Sequence, residues 1–342
     1  MEKLNQTRRE FLVQCSIAVT TLSSFSPYVF TEKSIKPSYM KNEKYYDVII
    51  IGGSYAGLSA AMALGRALRN VLIIDSGLPC NRQTPHSHNF ITQDGEKPSE
   101  IAKKAKAQVL QYDTVKFHEG LAINGTKTNS GFIITTETGE SFKAKKLLFA
   151  TGVKDLMPDI EGFSECWGNS VIHCPYCHGY EVRNEKTGIL ANGDFAFHYA
   201  QLINNWTKDL TIFTNGKATL TQEQTGRIKK HNISIVEKEI DFFNHEHGKV
   251  RQLVFKDKST FDLTVIYSRP AFEQHCKIPE NLGCEITEQG HIKVDMLQKT
   301  NIDNVLACGD STSMMRSVAN AVATGSLAGA MINNDLTVEE FS

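Results

Sequence analysis

One short stretch constrains this chain more than any other. Val48, Ile49, Ile50 and Ile51 form a continuous apolar run, as a strand buried on both faces requires, and Gly52-Gly53-Ser54-Tyr55-Ala56-Gly57 follows at once. A helical stretch, Leu58 to Leu68, comes next, and then a second strand, Val71 to Ile74, closed by Asp75. Strand, tight turn and helix aim backbone N–H groups and the positive end of a helix at one point, where a pyrophosphate can be held. In a G-x-G-x-x-G reading Gly52 makes the bend, Gly57 lets the helix approach the strand, and Ser54 stands where the second glycine is usual. Serine is the next smallest polar choice, so the contact is kept with a small shift. Gly53 and Ala56 complete this first set. Asp75 lies at the spacing from Gly52 at which a carboxylate reaches ribose hydroxyls. The expected unit is a dinucleotide site; a helix-capping turn without a ligand is the alternative.

The far end of the chain repeats the theme. Val305-Leu306-Ala307-Cys308-Gly309-Asp310 precedes a small-residue helix expected from Ser317 to Ile332, and Ala150-Thr151-Gly152 closes the strand Leu147 to Phe149. A strand ending in Gly-Asp before such a helix resembles the second FAD-contacting element of two-dinucleotide flavoproteins. There the acid bonds the ribityl or pyrophosphate region, so Gly309, Asp310 and Arg316 join the expected FAD-binding set. At 342 residues, 41% of them hydrophobic and 22% charged, the chain is globular and too long for one ordinary core. The fold class expected is α/β, with two Rossmann-like dinucleotide-binding domains, the second inserted into the first. Residues 44–154 and 266–342 would form the FAD domain and residues 155–265 the insert.

A formal net charge of −1 leaves no surplus of basic residues for phosphates, so nucleic acid is not an expected partner. Nothing after residue 35 is an unbroken apolar run of the ~20 residues a membrane-spanning helix needs. Before it, Thr7-Arg8-Arg9-Glu10-Phe11-Leu12 leads into a mildly apolar, Ser/Thr-rich stretch from Val13 to about Phe30, the layout of a twin-arginine export signal. Val13 stands where a basic residue is usual, and no clear A-x-A cleavage site follows, which leaves room for the segment to stay as an anchor. Residues 1–43 are therefore set apart from the fold. The expected location is periplasmic or anchored on the outer side of the membrane, with the cytoplasm as the alternative.

Of eight cysteines only Cys174 and Cys177 stand two residues apart, which is not the pattern of a disulfide framework. They lie in His173-Cys174-Pro175-Tyr176-Cys177-His178-Gly179-Tyr180-Glu181. A cysteine of ordinary pKa is only a few per cent thiolate at neutral pH; a pKa near 7 makes it about half thiolate. An imidazole on either flank, His173 or His178, can supply that shift or shuttle the proton. Half a zinc site is the competing reading, but neither Cys276 and Cys284 nor Cys308 forms a second close pair, and no metal is expected. Cys80, Cys166, Cys276, Cys284 and Cys308 read as packed small hydrophobes. His86 and His88, in the loop after Asp75, could face the flavin or merely solvate the loop, and loop residues are the expectation for both.

From about Tyr46 to Leu336 the chain resembles the low-molecular-weight thioredoxin reductases, within the FAD-dependent pyridine nucleotide-disulphide oxidoreductases. The CPYCHGYE stretch is most similar to the branch that includes the dithiol oxidases of gliotoxin and holomycin biosynthesis. The resemblance implies that Cys177 lies against the flavin, that Cys174 is the interchange thiol, that Asn89 contacts FAD, and that the protein is a homodimer. His178 stands where the family has an acid.

Where relatives carry a Gly-rich NADPH fingerprint this chain reads Ala191-Asn192-Gly193-Asp194, with a strand expected near Gly188 to Ala191 and a helix through Phe195 to Asn205. The first glycine is lost and a carboxylate stands where phosphate oxygens would approach. Lys217, in Thr214-Asn215-Gly216-Lys217, is a thin replacement for an Arg-rich 2′-phosphate motif. The expected function is thus FAD-dependent dithiol–disulfide exchange that need not use NADPH, on a small molecule or a thioredoxin-like protein. An NADPH-dependent disulfide reductase is the second reading, and a non-catalytic flavin- or metal-binding module the third.

Overall fold

The computed structural model describes residues 45–342; the export-signal reading of residues 1–43 falls outside them. The strand Tyr45–Ile51 lies in the middle of a seven-stranded sheet, parallel to Val71–Asp75 on one side and to Ser141–Phe149 on the other. Val48, Ile49 and Ile50 are fully buried, which accounts for a run with no polar alternation. Val115–Glu119 extends the sheet beyond Val71–Asp75. The long Ser141–Phe149 strand is shared: its first half pairs antiparallel with Gly131–Thr136, and its last three residues pair parallel with Val305–Ala307. That last pairing brings the C-terminal Gly-Asp segment beside the first glycine turn.

The first helix runs Tyr55–Arg66, beginning three residues ahead of the expected Leu58, because Ser54 is its extended N-cap and the glycine turn passes straight into it. It packs on the C-terminal helix Val318–Phe341, whose N-cap Ser317 accepts from the Asn320 N–H. That helix carries small residues for a steric reason. A Cβ on Gly325 would lie 2.1 Å from Ala56 O, and one on Gly329 would lie 2.6 Å from Ala60 O.

A second, wholly parallel five-stranded sheet contains Val171–Ile172, Thr187–Leu190, Leu210–Phe213, Ser234–Val236 and Val265–Ser268. Its helix Gly193–Ile203 starts two residues before the expected Phe195, because Asn192 caps it. A three-stranded antiparallel sheet, Ile240–Glu246, Lys249–Phe255 and Thr260–Asp262, packs Phe243 and Leu253 into the same core as Phe163 and Phe213. The passages between the two larger sheets run side by side: Val153–Leu156 leaves the first and Ala271–Gln274 returns, paired antiparallel. The expected class, two Rossmann-like domains with one inserted into the other, is the architecture observed.

Candidate functional site

A cavity of about 530 Å³ opens at the C-terminal ends of the first sheet's central strands, within the range of cofactor sites. Gly52, Gly53, Ser54 and Ala56 form one wall, and Asp75 lines the cavity beside them. The carboxylate of Asp75 accepts from Gly53 N–H at 2.7 Å and from Gly77 N–H at 3.1 Å, which fixes its orientation. Gly52 has φ +106°, and a Cβ there would lie 2.3 Å from Ala150 O. Gly57 does not line the cavity. A Cβ on it would lie 1.9 Å from Gly52 O, so it sets how closely the helix approaches the turn.

Gly309, Asp310 and Arg316 form the opposite wall. Arg316 donates to both carboxylate oxygens of Asp155, at 2.7 and 3.0 Å, and its Nε lies 3.8 Å from Asp310 Oδ2. Burial works against the guanidinium charge, but the bidentate Asp155 pair more than restores it. Burial pushes the Asp310 carboxyl up to about 6, with Arg316 pulling the other way. Three buried polar atoms on this cavity's walls, Thr151 Oγ1, Arg316 Nε and His173 Nε2, have no protein hydrogen-bond partner. Buried polar atoms are rarely left so, and a polar ligand such as FAD would supply their partners. The glycine turn, the oriented Asp75 and these orphaned atoms fit a dinucleotide cofactor.

The redox segment closes the cavity. Cys174 and Cys177 are joined in a disulfide, with Cα atoms 5.2 Å apart. Pro175 begins the short helix Pro175–His178, where its missing N–H costs nothing, and Cys174 caps it: Cys177 N–H points to Cys174 Sγ at 3.1 Å. Cys177 lines the cavity and Cys174 does not. Burial drives His173 down to about 3, aided by the positive Arg316, and burial with His88 drives His178 to about 4. Both imidazoles are neutral at pH 7. A neutral ring adds no positive charge to stabilise a thiolate, so that one of the two expected uses is not available at neutral pH. Thiolate stabilisation falls instead to the Cys177 N–H beside Cys174 Sγ.

Residues 46–325 match the family described as pyridine nucleotide-disulphide oxidoreductase. The chain belongs to that family. The thioredoxin reductase tcpT of Claviceps purpurea is 32% identical over 311 residues, spanning 88% of this chain and 97% of its own. The thioredoxin reductase sirT of Leptosphaeria maculans is 30% identical over 306 residues, 84% of this chain and 93% of its own. The crystal structure of an oxidoreductase from Agrobacterium tumefaciens superposes with a TM-score of 0.81 at 36% identity, over 86% of this chain and 99% of that one. The protein is accordingly a flavin-dependent disulfide oxidoreductase whose cofactor is FAD.

Asn89 sits apart from this oxidoreductase's cavity: it is exposed, at φ +59°, with its N–H bonded to Asp94. Asn81 lines the cavity instead, its Nδ2 donating to Tyr55 Oη at 3.3 Å. Cys80 and His88 line it too: Cys80 is exposed to the cavity rather than packed away as a small hydrophobe, and His88 takes the cavity-facing one of its two readings. The Cys80 thiol is 3.9 Å from Asp310 Oδ2; although the residue is exposed to the open cavity, desolvation by the surrounding walls and the Asp310 carboxylate push it up to about 11, so it is protonated at neutral pH. His88 Nδ1 is 3.6 Å from Glu181 Oε1, a contact between the loop after Asp75 and the redox segment. Phe117 and Lys106 also line the cavity, the ammonium 3.5 Å from the ring centroid. The only sequence signal for this group is an aperiodic loop, residues 76–97, following Asp75. Cys276 and Cys308 are pushed by burial to about 11 and 12, the behaviour of packed thiols.

Proposed function

We propose that this oxidoreductase oxidises a dithiol substrate at Cys174–Cys177, with residues 44–154 and 266–342 holding FAD, residues 155–265 carrying the redox segment, and no requirement for NADPH. The observation that carries the reading is the placement of one disulfide with Cys177 on the cofactor cavity and Cys174 off it. A substrate thiolate attacks Cys174 Sγ, the Cys174–Cys177 bond breaks, and Cys177 leaves as a thiolate. The substrate's second thiol, whose proton His173 or His178 would relay to solvent, attacks the mixed disulfide; Cys174 leaves and the substrate departs as a disulfide. Two electrons now reside on the cysteine pair, and FAD, when bound, supplies the acceptor for them. Gly52, Gly53, Ser54 and Ala56 would cradle its pyrophosphate, Asp75 would hold its ribose, and Gly309, Asp310 and Arg316 would face its ribityl side.

Anaerobic titration of the purified protein decides the direction. Dithiothreitol is expected to bleach the flavin fully at a few equivalents, while NADPH and NADH leave it oxidised over the same period. Rapid bleaching by micromolar NADPH would replace this reading with that of an NADPH-dependent disulfide reductase.

We further infer that residues 1–43 direct export by the twin-arginine route, on the Thr7 to Leu12 pattern. Residues 1–35 fused to a folded reporter are expected to carry it across the membrane, and the Arg8→Lys, Arg9→Lys double variant to retain it inside. Equal export of both fusions removes the inference.

A further inference from the structure

The second strand–turn–helix, Thr187–Leu190 into Gly193–Ile203, has the layout of a dinucleotide cradle, but its own side chains occupy the helix N-terminus. Asn192 Oδ1 accepts from Gly193 N–H at 2.8 Å, from Thr219 N–H at 2.8 Å and from Thr219 Oγ1 at 3.1 Å. Its Nδ2 donates to Lys217 O at 2.9 Å. The amide oxygen thus takes the backbone donor a phosphate oxygen would use, and the same side chain ties down the loop that holds Lys217. The next residue, Asp194, accepts from Gln224 Nε2 at 2.7 Å, joining this helix to Gln222–Lys230.

The middle of the same helix reaches the redox segment. Tyr199 is 8% exposed, and its hydroxyl donates to the backbone oxygen of His173 at 2.6 Å. Phe195 packs edge-on against the Tyr199 ring at 4.2 Å between centroids, and Tyr267 lies 6.5 Å away. His173 O belongs to the peptide that enters Cys174, the residue from which the chain turns into the Pro175–His178 helix. One hydrogen bond from a ring held on a fixed helix therefore sets the peptide from which the disulfide hangs.

We propose that Tyr199 is a positioning residue for the Cys174–Cys177 pair, and that the helix carrying it is held at its N-terminus by Asn192 in place of a bound dinucleotide. This rests on the thiol-exchange reading above. Tyr199→Phe keeps the ring and its packing and removes only the donor, leaving His173 O without its partner.

The test compares the holoprotein with Tyr199→Phe and Asn192→Ala. The equilibrium of the disulfide with dithiothreitol, read by mass from alkylated thiols on the Cys174–Cys177 peptide, needs no flavin reduction. Tyr199→Phe is expected to shift that equilibrium, and the rate of flavin reduction by dithiothreitol, by about 10-fold, the effect of one buried hydrogen bond. FAD content should stay at the wild-type value. Asn192→Ala, which loosens the helix one step away, is expected to shift both in the same direction by a smaller factor. A Tyr199→Phe protein with wild-type equilibrium and rate overturns the positioning role. Saturable NADPH binding by the wild-type protein overturns the role given to Asn192. Wild-type flavin that dithiothreitol fails to reduce refutes the thiol-exchange reading alone, because the thiol equilibrium still reports on Tyr199.

Discussion

The Cys174→Ser protein is expected to show a long-wavelength absorbance band that the Cys177→Ser protein lacks. Serine at 174 leaves Cys177 as a free thiol on the wall of the FAD cavity, where its thiolate can donate charge to the flavin ring. Serine at 177 leaves only Cys174, which does not line that cavity. Both substitutions should lower dithiol turnover on the order of 10³-fold or more, since each removes a reacting sulfur and such losses are not graded. The band is the more discriminating measurement. Equal bands in the two variants would show that the two sulfurs are not distinguished in their approach to the flavin. Unchanged turnover in both would remove the redox assignment. Raising the pH should strengthen the Cys174→Ser band as the remaining thiol ionises, with no inflection from His173 or His178 near 6.5, because burial keeps both rings neutral down to about 3 and 4.

Gly57→Val is expected to yield a colourless protein that takes up no FAD on reconstitution. The added Cβ would lie 1.9 Å from Gly52 O and 3.2 Å from Ile50 Cγ2, so the helix must move away from the glycine turn. That movement carries Ser54 and Ala56 with it and opens the pyrophosphate cradle. Overpacking of this kind costs about 1–3 kcal/mol or more, against total stabilities of about 5–15 kcal/mol, so the unfolding temperature should fall as well. Gly226→Ala is the matched control. It lies within the helix Gln222–Lys230 with nothing within 4 Å of the new Cβ, and alanine there should add about 0.5–1 kcal/mol with FAD content unchanged. A yellow Gly57→Val protein with one FAD per chain would show that the cradle tolerates the displacement and that Gly57 is not needed for cofactor binding.

Two parts of this protein were legible from residues close together in the chain, because the physics that dictates them is local. A strand buried on both faces must be apolar throughout, and a chain reversing at φ +106° under a neighbouring carbonyl must be glycine, so Val48 to Gly57 and Asp75 could be read as a cradle. A Cys-x-x-Cys with proline inside can close on itself within one helical turn but is also half a zinc site, so the redox reading leaned on the family resemblance, and the structure joins Cys174 to Cys177. Even the doubtful fingerprint at Ala191 to Asp194 was visible as a departure from glycine.

What only the tertiary structure decided concerns groups that meet from distant segments. Arg316 and Asp155 are paired across 161 residues, and no spacing rule connects them. Asn81 rather than Asn89 reaches the cavity because the loop after Asp75 has no periodicity from which its direction could be inferred. The histidines look like cationic neighbours of a thiol in the sequence; burial makes them neutral, and burial is a property of everything packed around them. Ala191 reads as the lost glycine and Asn192 as an ordinary turn residue, yet the partners of Asn192 at Thr219 and Lys217 lie a strand and a loop away, and only their convergence turns a weakened nucleotide motif into an occupied one. Chain-local stereochemistry determined where a cofactor and a disulfide could stand, and long-range packing decided which sulfur lines the cavity and which proton states surround it.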